Sequence, residues 1–258
     1  MNEYVKPHER VDDLQIDGLK IIQNPKGFCF GIDAVLVSNF ARVKKGSRVV
    51  DLGTGTGIIP LLVSAKSAQS KISAFEIQED VADMARRSVA MNGLEDRIEI
   101  IEDNIINALD HLGKHTVDVV ISNPPYMASG VGEVNPSDHK AISRHEIHCT
   151  LEDIISTASA LLRGSGQFFM VHRPNRLVDI LTLCRAHNLE PKRIRFVHPF
   201  AGKSPNIVLI HATKGGRPDV KVLEPLVVRN DDQSYTEEIY EIYRQTNISS
   251  FERREKNG

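Results

Sequence analysis

Val49-Val50-Asp51-Leu52-Gly53-Thr54-Gly55-Thr56-Gly57, followed by Ile58-Ile59-Pro60-Leu61-Leu62-Val63, is the stretch that decides the fold. Apolar residues run into a glycine-rich turn that opens an apolar helix, which is how nucleotide-binding α/β domains begin. Gly53, Gly55 and Gly57 let the backbone come close to a ligand. Their spacing is G-x-G-x-G: the dinucleotide fingerprint needs glycine at Ile58, and a P-loop needs a Gly-Lys-Ser/Thr that is absent. A loop of this kind, with Asp51 on the strand before it, suits a cationic ligand that carries no phosphate.

The next strands repeat the pattern. Ile72-Ser73-Ala74-Phe75-Glu76 reads as a strand ending in a carboxylate where such folds place an acceptor for ribose hydroxyls. Ile98-Glu99-Ile100-Ile101-Glu102-Asp103 reads as a third, with Asp103 placed to accept from an adenine amine. The run Val117-Asp118-Val119-Val120-Ile121-Ser122 leads into Asn123-Pro124-Pro125-Tyr126. The Asn123 side-chain carbonyl and a Pro-flanked backbone carbonyl form two fixed acceptors, since prolines hold φ near ~−65° and bring no N–H. Two acceptors suit a planar amine with two hydrogens, and the Tyr126 ring offers a face on which a base or amide can stack. Asp51, Glu76, Asp103 and Asn123 thus end four consecutive strands, and ligands of open parallel sheets bind at those ends. S-adenosylmethionine, a phosphate-free sulfonium, is a ligand of the required kind.

The order Asp-Leu-Gly-Thr-Gly-Thr-Gly, Glu76, Glu102-Asp103 and Asn-Pro-Pro-Tyr resembles the class I S-adenosylmethionine-dependent methyltransferases that methylate amines. Gly27-Phe28-Cys29-Phe30-Gly31-Ile32-Asp33, Ser143-Arg144-His145-Glu146 and Lys214-Gly215-Gly216 are similar to the bacterial family that methylates adenine 37 of valine tRNA at N6. The resemblance implies that Asp51, Gly53, Gly55, Gly57, Glu76 and Asp103 hold the cofactor. It implies that Asn123, Pro124, Pro125 and Tyr126 are catalytic, and that tRNA is the substrate. Acceptors that hold both amine hydrogens out of the trigonal plane favour the pyramidal nitrogen of the attacking state, and no strong base is needed. Two other readings share these residues: a protein glutamine N5-methyltransferase, and a non-catalytic module that binds cofactor or RNA.

Composition bounds the answer. At 258 residues, 41% hydrophobic and 26% charged, the chain suffices for one α/β domain. Net charge is −2, but Lys71 to Asp118 holds five Lys/Arg against eleven Asp/Glu, and Arg163 to Arg217 ten against two. A basic region joined to an amine-methylating loop favours nucleic acid over protein, and Lys192-Arg193-Ile194-Arg195 is its densest segment. Cys29, Cys149 and Cys184 form no Cys-x-x-Cys, and His145-Glu146-Ile147-His148-Cys149 lacks the spacing that places two imidazoles on one helical face, so no metal is expected. With no signal-like N-terminus and no apolar run of membrane-spanning length, a cytoplasmic enzyme is expected, with no membrane partner.

Residues 1–45 read as an N-terminal extension packing on the core, with a hairpin from Leu14-Gln15-Ile16 and Leu19-Lys20-Ile21-Ile22 and a helix from Ile32; residues 46–258 read as the methyltransferase domain. Strands near 48–52, 72–76, 98–102, 117–122, 166–172, 192–198 and 206–212 alternate with helices, giving a doubly wound, mostly parallel seven-stranded Rossmann-like sheet. The resemblance places the last strand antiparallel beside the fifth. Residues 127–149 read as a long active-site loop. Phe28 and Phe30 are candidates either for a clamp or for the core. Tyr235, Tyr240 and Tyr243 are expected to dock on the core.

Overall fold

The computed structural model describes residues 3–27, 29–124 and 149–244. A short hairpin, β1 (Arg10–Asp13) and β2 (Lys20–Gln23), precedes helix α1 (Ile32–Phe40). Then β3 (Arg48–Leu52), α2 (Ile58–Lys66), β4 (Lys71–Glu76), α3 (Glu79–Met91), β5 (Ile98–Glu102), α4 (Ala108–Leu112) and β6 (Val117–Ser122) alternate. After residue 148 come α5 (Leu151–Leu161), β7 (Leu162–His172), α6 (Leu177–Ala186), β8 (Leu189–Phe200), β9 (Ile207–Lys214), β10 (Lys221–Val222), β11 (Leu226–Arg229) and α7 (Glu237–Arg244).

The main sheet runs β5-β4-β3-β6-β7-β9-β8, with β10 and β11 both added to the free edge of β8. Strands β3 to β7 are parallel, and β9 is antiparallel to both β7 and β8, as the resemblance implies for the last strand. The sheet has nine strands rather than seven. Lys-Val and Leu-Val-Val-Arg, separated by Pro225, are too short to carry a readable alternation, and only pairing with β8 makes them strands.

Successive side chains of the central strands feed opposite cores, as parallel strands covered on both faces require. Val119, Ile121, Phe169 and Val171 pack with α1, α2 and α7, whereas Val120, Phe168 and Met170 pack with α5 and α6. The hairpin forms, but its first strand lies earlier than expected. Positive φ at Gln15, Asp17 and Gly18 folds the stretch from Leu14 to Leu19 into the connection, closed by the Leu14 N–H on the Leu19 carbonyl. The hairpin is pinned to α3: the Ile22 N–H donates to Ser88 Oγ at 2.9 Å, and Arg87 grips Glu9 at 2.6 Å. Tyr235 and Tyr243 are buried with their rings 6.0 Å apart, and Phe30 packs against the same core.

Candidate active site

The carboxyl ends of β3, β4 and β6 are bound to one another before any ligand is considered. The N–H groups of Gly53 and Thr54 both donate to the Phe75 carbonyl, at 3.1 and 2.8 Å, and the Ser122 hydroxyl donates to the Leu52 carbonyl at 2.8 Å. The glycine loop then turns through three left-handed residues, ending at Gly57 with φ of 88°. That left-handed conformation favours glycine where α2 starts against α3, with a Cβ there in van der Waals contact, 3.4 Å, with that of Ala85.

Two acids shape this loop from below. Glu76, 2% exposed, accepts from the Gly55 N–H through Oε2 at 3.0 Å and from the Gln78 N–H through Oε1 at 3.0 Å. Asp51 is fully buried, and among the described residues neither of its oxygens has a hydrogen-bond partner. Burial pushes its pKa up to about 7; the Thr54 hydroxyl opposes the rise, and the Glu76 charge adds to it. A buried carboxylate without partners is unfavourable by several kcal/mol unless protonated or joined by a cation. The glycine cradle and this orphaned acid therefore fit a compact cationic ligand.

Asp103 is placed otherwise than a free acceptor. Its Oδ2 meets His111 Nε2 at 2.7 Å and its Oδ1 accepts from Asn107 Nδ2 at 2.8 Å. His111 first, then Asn107, hold its carboxyl below the usual carboxylate range. The neighbouring Asn104 and Ile105 reach the cavity instead.

That cavity opens at the strand ends. Gly53, Phe75, Glu76 and Ile105 line it together with Pro124, Ile154, His172 and Arg176. Of the expected site residues it brings together Gly53, Glu76 and Pro124, while Asp51 lies on β3, Gly55 and Gly57 belong to the loop beside it and Asn123 adjoins Pro124. Pro125 and Tyr126 lie outside the described residues, as do Phe28, Arg144, His145 and Glu146. Among the described residues no group of three His, Cys, Asp or Glu side chains could hold a metal ion, and no helix is long and apolar enough to cross a membrane.

The methyltransferase small-domain family matches residues 31–182, which hold the glycine loop, both acids and Asn123-Pro124. The chain belongs to that family. Its curated relatives include a protein of Bacteroides thetaiotaomicron, 29% identical over 83% of this chain and 88% of its own length. Another, from Phocaeicola vulgatus, is 30% identical over 81% of this chain and 86% of its own length. Both are named tRNA1(Val) (adenine(37)-N6)-methyltransferase. Among solved structures, one described as a predicted O-methyltransferase from Agrobacterium tumefaciens superposes with a TM-score of 0.69 at 23% identity, covering 84% of this chain and 98% of that one. The fold is therefore shared with that structure.

Three lining residues of this methyltransferase went unread in the sequence. Asn104 follows Asp103 directly, and its side chain caps the next turn through the Ile106 N–H at 3.1 Å. His172 ends β7, so the rule that pointed to Asp51, Glu76, Asp103 and Asn123 also reaches it. Arg176 stands one turn later with its Nε on Asp179 at 2.7 Å, a placement that only the fold reveals.

Proposed function

We propose that this chain transfers a methyl group from S-adenosylmethionine to N6 of adenine in tRNA, at position 37 of valine tRNA as its curated relatives are named. The observation that carries the reading is the placement of Asn123-Pro124 at the end of β6, next to the end of β3 where the glycine loop begins, whose two acids suit a cation. Bound cofactor supplies an electrophilic methyl group. Gly53, Gly55 and Gly57 admit it to the backbone, Glu76 accepts from its ribose, and Asp51 offsets its positive charge. Asp103 orders the adenine side through the loop that presents Asn104 and Ile105. Asn123 and the Pro124 carbonyl accept the two amine hydrogens and hold the nitrogen towards the donor; Pro125 stiffens that turn and Tyr126 stacks on the base. Because no strong base is needed, the proton leaves to solvent once nitrogen has been alkylated.

Residues 46–258 form the catalytic domain in this reading, and residues 1–45 an extension docked on α3. Work on tRNA belongs in the cytoplasm. The test is mass spectrometry of nucleosides from valine tRNA incubated with the protein and labelled S-adenosylmethionine. N6-methyladenosine is expected; methylated glutamine in a protein substrate with unmodified tRNA would replace this reading with amide methylation.

A further inference from the structure

Arg176 closes the short turn Pro174–Arg176 between β7 and α6, and its side chain, on the cavity wall, is 21% exposed. Nε donates to Asp179 Oδ2 at 2.7 Å, which fixes the plane of the guanidinium. That bond uses one of its five N–H groups, and the rest, on the two Nη atoms, make no hydrogen bond among the described residues. The cavity wall they share is largely apolar, with Leu52, Phe75, Ile105, Leu151 and Ile154. His172, on the same wall, is neutral: burial, helped by the charges of Arg176 and Arg173 and opposed by the Arg173 N–H, pushes its pKa down to about 4. A charged fork held in one plane, with donors left over and little water to meet them, fits an anion that offers two oxygens.

The strand order says which molecule brings that anion. β6 has β3 on one edge and β7 on the other. The glycine loop and its two acids therefore lie on one flank of Asn123-Pro124, and the turn that carries Arg176 on the other. At ~4.8 Å between neighbouring strands, the end of β7 is ~10 Å from that of β3 and ~14 Å from that of β4, but only one strand from the amine acceptors. The flank belongs to the substrate. Each nucleotide of an RNA has a phosphate on either side, whereas a glutamine side chain brings no anion with its amide. We propose that Arg176 binds a phosphate flanking the target nucleotide, gripping the backbone through both Nη groups while the base is turned out of its stack into the cavity. The proposal rests on the adenine-N6 reading above.

The test is a cycle between protein and substrate. Valine tRNA is assembled by ligation with the phosphate on the 5′ or the 3′ side of the target adenosine replaced by uncharged methylphosphonate. A 2′-O-methyl group on the ribose before the replaced linkage prevents strand cleavage, and the matching all-phosphate control carries it too. On the control, Arg176→Ala should raise KM roughly tenfold, the size of a charged hydrogen bond, with kcat much less affected. Arg176→Lys, which keeps the charge and loses the fork, should fall between, and carries the same comparison if the alanine variant does not fold. On one of the two methylphosphonate tRNAs, wild type and variants should have the same KM, because the anion is already gone. Calorimetric affinity for S-adenosylmethionine should be equal in all three proteins, with thermal melting to report that each is folded. If Arg176→Ala loses nothing on the control, or the same factor on all the tRNAs, Arg176 meets no flanking phosphate and the inference is wrong, though adenine methylation stands. If a folded variant instead loses affinity for S-adenosylmethionine, the guanidinium serves the cofactor carboxylate and the inference is equally wrong. If the wild-type protein forms no N6-methyladenosine in the control tRNA, the functional reading fails first and this inference falls with it.

Discussion

The two halves of the sheet solve opposite electrostatic problems. On the β3-β4-β5 side the glycine loop lies over Asp51 and Glu76, both buried, and the surrounding helices carry Glu79, Asp80 and Asp83. On the β7-β9-β8-β11 side the cavity wall is His172 and Arg176, and the strand ends carry Arg173, Lys203 and Arg229. The acidic half concentrates its charge under one backbone turn, so a small cation is held by few residues. The basic half spreads its charge along a sheet edge, as a polyanion requires. Large effects of single substitutions are therefore expected on the first half and at the strand that divides the two, and small ones on the second.

The dividing strand should give the largest effect. Asn123→Ala removes the acceptor proposed for the reacting amine, and loss of one such preorganised group lowers kcat by roughly 10²–10³-fold. Single-turnover methyl transfer measures it, alongside cofactor affinity, which should not change. Full activity in this variant would remove β6 from the chemistry.

Asp51→Asn tests the acidic half in two directions. Below about pH 4 the wild-type carboxyl is protonated in both folded and unfolded chains and contributes no difference. Between there and its folded pKa of about 7 the unfolded chain releases the proton and the folded chain keeps it. Stability therefore falls by about 1.4 kcal/mol per pH unit over that window and is level above it. The asparagine variant escapes this loss, so its gain in melting temperature without ligand should grow from pH 5 to 7 and then stop. His172 and His211, both pushed down to about 4, act in the other sense: they take up protons only on unfolding, so the stability they give is lost as pH falls from about 6.5 to 4. Cofactor binding should weaken in Asp51→Asn by roughly 1.5–3 kcal/mol, the value of a charged partner. A variant that binds cofactor as well as wild type would show that Asp51 only shapes the loop.

Glu76→Ala should weaken cofactor binding by about tenfold or more, since it removes both the proposed ribose acceptor and the anchor of the Gly55 N–H. Here Glu76→Gln separates the two parts. Its amide oxygen can still accept from Gly55, and titration calorimetry should find it between wild type and alanine.

The halves also differed in how far they could be read from sequence. The glycine loop, Glu76 and Asn123-Pro124 sit at the ends of strands whose apolar runs and turn residues are local signals, and the alternation of β3 to β7 with helices followed from them. Asp103 follows the end of β5 as read, but its bonds to His111 and Asn107 depend on how α4 folds back. The basic half was overcounted. Arg163, Arg176, Arg185 and Arg195 each form an ion pair, with Asp118, Asp179, Glu190 and Glu238 in turn. Arg193 lies 5.2 Å over the Phe40 ring with its Nε on His211. Asp179 and Glu190 were already in the count, but Asp118 and Glu238 come from outside the basic stretch and a charge count cannot see them; β10 and β11 were missed for the same reason, since their partner is β8, not their own sequence.

The smallest effect, and the one that tests whether the basic half meets RNA, separates Lys203 from Arg195. Lys203 is exposed on the β8–β9 connection at the ligand end of the sheet, near Arg173, whose guanidinium donates to the Asn206 carbonyl. It forms no ion pair among the described residues. Arg195 instead reaches Glu238 at 2.6 Å and the Glu224 carbonyl at 2.9 Å, clamping α7 and the β11 approach to β8. Lys203→Ala should lower tRNA affinity a few-fold and reduce the slope of log affinity against log salt by roughly one, the signature of one phosphate contact. Arg195→Ala should leave that slope unchanged and lower stability by about 1 kcal/mol or less, as a part-exposed pair does. Filter binding across a salt series reads both. A slope that falls with Arg195 and not with Lys203 would place the RNA along β10 and β11 at the sheet edge, away from the mouth of the cavity.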